Sequence, residues 1–111
     1  MKGRHIEVGQ TKELRVLEKT RQRNIVKYLN SVPQCCAEIR TQVGFGTKGA
    51  ADILGCIAGR HFELEAKQPG AKLTHLQEQW LRSWSNAGAI TGRVEDVETT
   101  RQVFREHGVE I

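Results

Sequence analysis

The chain has 111 residues, 38% of them hydrophobic and 27% charged, with a net charge of +4. That length suits one small domain with a modest core, and the balance of apolar and charged residues excludes a disordered or collagenous chain. The small basic excess suits a polyanionic partner, nucleic acid before an anionic membrane, because neither an apolar run of about 20 residues nor a basic amphipathic anchor accompanies it.

In chain order, residues 1–10 are expected to be a loose basic arm without the apolar core of a signal peptide. A helix is predicted from about residue 11 to 31, ahead of Pro33, on the spacing of Leu14, Leu17, Arg21, Ile25, Tyr28, Leu29 and Val32. Glu18 falls within that stripe, four residues after Leu14 and seven before Ile25. A carboxylate on an apolar face needs a partner: Arg21 or Gln22 one turn on, water at a rim, or a metal ion. Glu13 competes with it, but its place near a helix start is explained by the helix dipole.

Residues 35–43 alternate Ala37, Ile39, Thr41 and Val43 against Glu38, Arg40 and Gln42, which predicts a strand. Arg40, on its polar side, is open to a phosphate or to a cross-strand charge pair. The three cysteines, Cys35, Cys36 and Cys56, are odd in number and two are adjacent, which argues against a disulfide framework. There is no C-x-x-C pair and the four histidines are scattered, so no zinc site is expected and the setting reads as reducing and cytoplasmic. Gly44-Phe45-Gly46-Thr47-Lys48-Gly49 follows as a loop. It lacks the P-loop pattern, and Lys48 in it is placed either to meet a phosphate or to serve as plain connector.

The next stretch, Ala51-Asp52-Ile53-Leu54-Gly55-Cys56-Ile57-Ala58-Gly59-Arg60-His61-Phe62-Glu63-Leu64-Glu65-Ala66-Lys67, reads as a hairpin. Phe62, Leu64 and Ala66 take one face of its second strand, and Glu63, Glu65 and Lys67 take the other. With Ala58-Gly59 as the turn, Asp52 lies opposite Glu65; with Gly59-Arg60 it faces Lys67. Either register gathers an aspartate, a glutamate and a lysine at the open end. Two close carboxylates repel unless one is protonated or a cation joins them, and hard oxygen ligands suit magnesium or manganese. The plainer alternative is a solvated sheet face of mixed charge, on which Glu63 and Lys67 are ordinary surface residues.

Gln68-Pro69-Gly70-Ala71 ends that strand. Thr74 caps a predicted helix that runs to about residue 86 and closes at Gly88, with Thr74-x-x-Gln77 in the form of a capping box. Leu76, Trp80, Leu81 and Trp84 form its apolar stripe, read as core or interface ahead of base stacking. A strand over residues 87–94 and a helix over 98–107, stopped by Gly108, complete an α/β order: helix, three strands, helix, strand, helix.

The run from Lys48 through Asp52, then Phe62-Glu63-Leu64-Glu65-Ala66-Lys67, Lys72-Leu73-Thr74-His75-Leu76-Gln77 and Asn86-Ala87-Gly88-Ala89 resembles the VRR-NUC family, the virus-type replication-repair nucleases of phages and prophages within the PD-(D/E)xK superfamily. The resemblance covers roughly residues 11–95, with Ala51 standing where the family often has proline. It implies a restriction-endonuclease-like core, a mixed central sheet flanked by helices. It also implies a magnesium-dependent DNA endonuclease, manganese substituting, that hydrolyses phosphodiester bonds in branched DNA such as Holliday junctions or flaps within a bacterial host cell. By resemblance, Glu18, Asp52, Glu65 and the Ala66 backbone carbonyl hold the metal, Lys67 aligns or activates water, and Gln77 supports Lys67 or the DNA backbone. Lys48 and Arg40 would meet DNA phosphates. A homodimer is implied too, with a helicase or other replication protein as a further partner. The alternative is a non-catalytic DNA-binding protein on the same fold.

Overall fold

Seven elements follow in the predicted order: α1 (Lys2–Asn30), β1 (Cys35–Ile39), β2 (Ile53–Ile57), β3 (Arg60–Ala66), α2 (His75–Asn86), β4 (Ile90–Val94) and α3 (Val97–Glu106). The computed structural model describes residues 2–41 and 48–111, with side chains from residue 15 onward. The strands form one sheet in the order β1-β2-β3-β4. The first three pair antiparallel, and β4 joins β3 in parallel after the α2 crossover that a parallel neighbour requires.

Alternation along the strands decides which helix covers which face. Ala37, Ile53, Ile57, Phe62, Leu64, Ala66, Ile90 and Val94 point to one side, where Ile25 and Leu29 of α1 and Val103 and Phe104 of α3 close the core. Phe62 meets Phe104 edge to face at 5.2 Å. α2 packs on β3 and β4 over the opposite side, which carries Glu63 and Glu65. The result is an α/β sandwich of helices around a mixed four-stranded sheet. Among the described residues no helix is long and apolar enough to cross a membrane.

The hairpin turn is Ala58-Gly59, with Ile57 paired to Arg60. Both turn residues have positive φ, 47° and 87°, as the twist-matched two-residue turn demands. That selects the register in which Asp52 comes opposite Glu65. α2 is capped by Thr74 as predicted, with both halves of the capping box made. α3 starts one residue earlier than predicted, on the Asp96 cap. β4 begins at Ile90, since Ala87 and Gly88 are used to finish α2.

Helix α1 departs most from expectation. It begins at Lys2, so residues 2–10 are helical where a loose arm was expected. Among the described side chains its stripe enters the core from Ile25 on, and Val16 and Leu17 are 61% and 54% exposed. The lengths explain this: 29 helical residues span roughly 43 Å, whereas five-residue strands span about 17 Å. The helix overshoots the sheet. β1 ends at Ile39, so Arg40 and Thr41, expected within the strand, lie beyond it, and residues 42–47 of the predicted strand end and loop fall outside the described residues.

Candidate active site

Ile53↔Leu64 is the last ladder pair of the hairpin, which leaves Asp52 directly opposite Glu65. Counting from a hydrogen-bonded pair that closes a two-residue turn, this is a non-hydrogen-bonded position, where opposed side chains come closest. The Ala66 N–H donates to Asp52 Oδ2 at 3.2 Å and holds that carboxylate over β3. Glu65 is buried, 3% exposed. Gln77 Nε2 donates to its Oε2 at 3.1 Å, while Oε1 is buried and accepts from no donor among the described residues. Burial first, then the hydrogen bond and charge of Asp52, push the Glu65 carboxyl up to about 9, against the opposing pull of Lys67. At neutral pH Glu65 therefore carries a proton.

Gln77 holds two roles at once. Its Oε1 accepts from the Thr74 N–H at 2.8 Å, closing the cap, and its Nε2 reaches Glu65. The first turn of α2 is thereby locked beside the carboxylates with its positive end toward them. Gly49 makes room for this on the other side. A Cβ there would meet the Leu76 carbonyl oxygen at 2.5 Å, and its φ of 84° disfavours other residues. The glycine ahead of Asp52 is thus a close-approach position against α2.

The remaining predicted site residues divide. Lys67 follows on the Glu65 side, half-buried, with its N–H donating to Val94 O. Lys48 is exposed in the turn before Ala50. Glu18 is exposed, on the part of α1 that precedes the core, and does not join Asp52 and Glu65. The third carboxylate expected at the site is absent because the helix stripe that suggested it runs past the end of the sheet. Among the described residues no three His, Cys, Asp or Glu side chains gather as a metal-holding group. The Glu13 side chain lies outside the described residues. Arg40 follows the charge-pair alternative: its terminal nitrogens donate to Glu63 Oε1 and Oε2 at 2.8 and 3.0 Å, and NH1 also to Ala51 O at 2.8 Å.

On the plainer alternative of a solvated sheet face, Glu63 would be an ordinary surface residue. It is fully buried. Besides Arg40, it accepts from Trp80 Nε1 at 2.7 Å and pairs with His61 Nε2 at 2.6 Å. Arg40 also lies over the Trp80 ring, 5.1 Å from its centroid, and His61 stacks on Trp84 at 4.2 Å. Burial raises the Glu63 carboxyl, but hydrogen bonds from Arg40, Trp80 and His61, with the Arg40 charge, outweigh it and hold the group below its ordinary value. A signal was present: β3 leads into a helical crossover, and such central strands are covered on both faces.

The chemistry of Asp52 and Glu65 fits a hard divalent cation. Two opposed carboxyl groups, one with a buried oxygen that meets no donor among the described residues, form an oxygen-rich set whose repulsion a cation would remove. No family model matches the chain, and no curated protein matches it.

Proposed function

We propose that the chain is a metal-dependent DNA endonuclease of VRR-NUC type on a restriction-endonuclease-like core, acting on branched DNA as a homodimer. The observation that carries this reading is the facing of Asp52 and buried, under-partnered Glu65, with Lys67 two residues on and Gln77 braced against Glu65. A solely structural sheet face has no use for such a pair, since an unrelieved buried carboxyl destabilises the fold. Asp52, Glu65 and the Ala66 carbonyl would hold magnesium or manganese. A metal held there would lower the pKa of a bound water and offset charge that builds on the scissile phosphate.

The chain's own residues supply the rest. Glu65 would hold the metal in its deprotonated form, its proton passing to water, and Gln77, bonded to Oε2, fixes the orientation of that carboxyl group. Lys67 orients the attacking water or holds a phosphate oxygen. Arg40, through Ala51 O and Glu63, ties β1 to the residue before Asp52 and stiffens the platform. The test is incubation of the pure protein with a four-way junction, a flap and plain duplex, each with magnesium, manganese or EDTA. Metal-dependent cleavage is expected, with Asp52→Ala and Lys67→Ala each reducing the rate about 100-fold or more. A folded wild-type protein that binds these DNAs, cuts none of them, and binds as well after Asp52→Ala would overturn the nuclease reading in favour of a DNA-binding protein.

A further inference from the structure

We propose that Cys36 and Cys56 are a thiol-switch site that closes reversibly into an intramolecular disulfide across β1 and β2. This stands apart from the nuclease reading. Cys36 pairs directly with Cys56 in the antiparallel register. Both are free and exposed, and both line one groove of about 290 Å³ with Glu38, Leu54 and His61. A small oxidant therefore reaches both sulfurs from the same side.

The ladder defines the type of pair. Arg40 N–H donates to Asp52 O at 2.7 Å, and Ala58 N–H to Gln34 O at 2.8 Å. Hydrogen-bonded pairs recur every second residue, so Cys36 and Cys56 form one too. Cα atoms in such a pair stand about 5.5 Å apart, inside the roughly 4.4–6.8 Å range of disulfides. Their Cβ atoms lie toward the wide end of about 4.5–5.5 Å, beyond the roughly 3.8 Å mean of a relaxed disulfide. The bond forms with strain, and strained, exposed disulfides are the readily reduced ones. The third thiol, Cys35, is set apart. It points to the other face, packs against the core, and is pushed up by burial and then by Cys36 and Cys56.

With a small-molecule disulfide such as oxidised glutathione as the oxidant, the exchange balances. The Cys36 thiolate attacks one sulfur of the small disulfide and expels one thiolate. The Cys56 thiolate attacks Cys36 Sγ, forms the internal bond and expels the second. The two protons from the protein thiols go to the two released thiolates, and the electron pair given up by the cysteines reduces the oxidant. The ring so closed contains Arg40, Ala51 and Asp52.

The test incubates the full chain with excess oxidised glutathione, then counts thiols and maps peptides by mass spectrometry. Titratable thiols are expected to fall from three to one, with a mass loss of about 2 Da assigned to a Cys36–Cys56 peptide. Dithiothreitol should restore all three. Cys35→Ser should form the same bond, whereas Cys36→Ser and Cys56→Ser should stall as glutathione adducts; both positions are exposed, and circular dichroism checks that these variants fold. Three persisting thiols, a stable adduct on the wild type, a bond to Cys35, or only intermolecular dimers would each overturn the proposal.

Discussion

Glu63 and Glu65 lie two residues apart on β3, on the same face and both buried, yet their surroundings are opposite. Glu63 has Arg40, Trp80 and His61 around both oxygens and stays ionised. Glu65 has Gln77 on one oxygen and faces a second carboxyl group, Asp52, whose hydrogen bond and charge both push its pKa up. Burial alone therefore does not set the state of a carboxyl group; the count of donors against like charges does. The first glutamate is a completed internal knot. The second is incomplete, and that incompleteness makes it the candidate for chemistry.

The sharpest way to break this contrast is to strip Glu63 of its partner. Arg40→Ala leaves the buried Glu63 charge with only Trp80 and His61 among the described residues and is expected to cost about 3–5 kcal/mol, read as a lower urea midpoint, whereas Arg40→Met with Glu63→Leu should recover most of it. The pH response separates the two groups. Glu63 has a depressed pKa, so its stabilisation is present above its unfolded value of 4.5 and is lost as pH falls below it. Glu65 has a raised pKa, so the metal-free fold loses stability as pH rises from 4.5 toward about 9. Glu65→Gln should flatten the thermal midpoint between those limits. Magnesium at about 100 times its dissociation constant should stabilise the wild type by about 2.7 kcal/mol, increasingly so at higher pH, and should leave Glu65→Gln unchanged.

Smaller effects come from the supports. Gln77→Ala removes half of the capping box and the side-chain amide that donates to Glu65, and should lower stability by about 1 kcal/mol while raising the Glu65 pKa further, followed by carboxyl NMR. Ala58 sits at φ 47° in the hairpin turn. Ala58→Asn, which tolerates that backbone, should stabilise by about 0.5–1 kcal/mol without moving the titration of either glutamate. A shift in either titration would mean that the turn does more than hold register.

Much of the scaffold was legible because its causes are local. The Thr74–Gln77 cap and the Gly88 and Gly108 stops each depend on a few consecutive residues, and all are observed. The α1 stripe was legible as a helix but not in extent, because periodicity carries no information on where a sheet ends. Glu18 was assigned to the site on that stripe and lies exposed.

The sequence by itself gathered Asp52, Glu65 and Lys67 at the open end of one hairpin, since a short turn and a period of two leave only two registers, and the observed Ala58-Gly59 turn set Asp52 opposite Glu65 and not Lys67. Tertiary structure alone decided what surrounds them. Only the docking of α2 brings Trp80 to Glu63 and Gln77 to Glu65, and only the β1–β2 register sets Arg40 on Glu63 and Cys36 beside Cys56. These contacts join residues 12 to 23 positions apart. Their geometry is fixed by which faces of the sheet the helices cover, a consequence of burying the whole apolar surface at once and not of any local pattern.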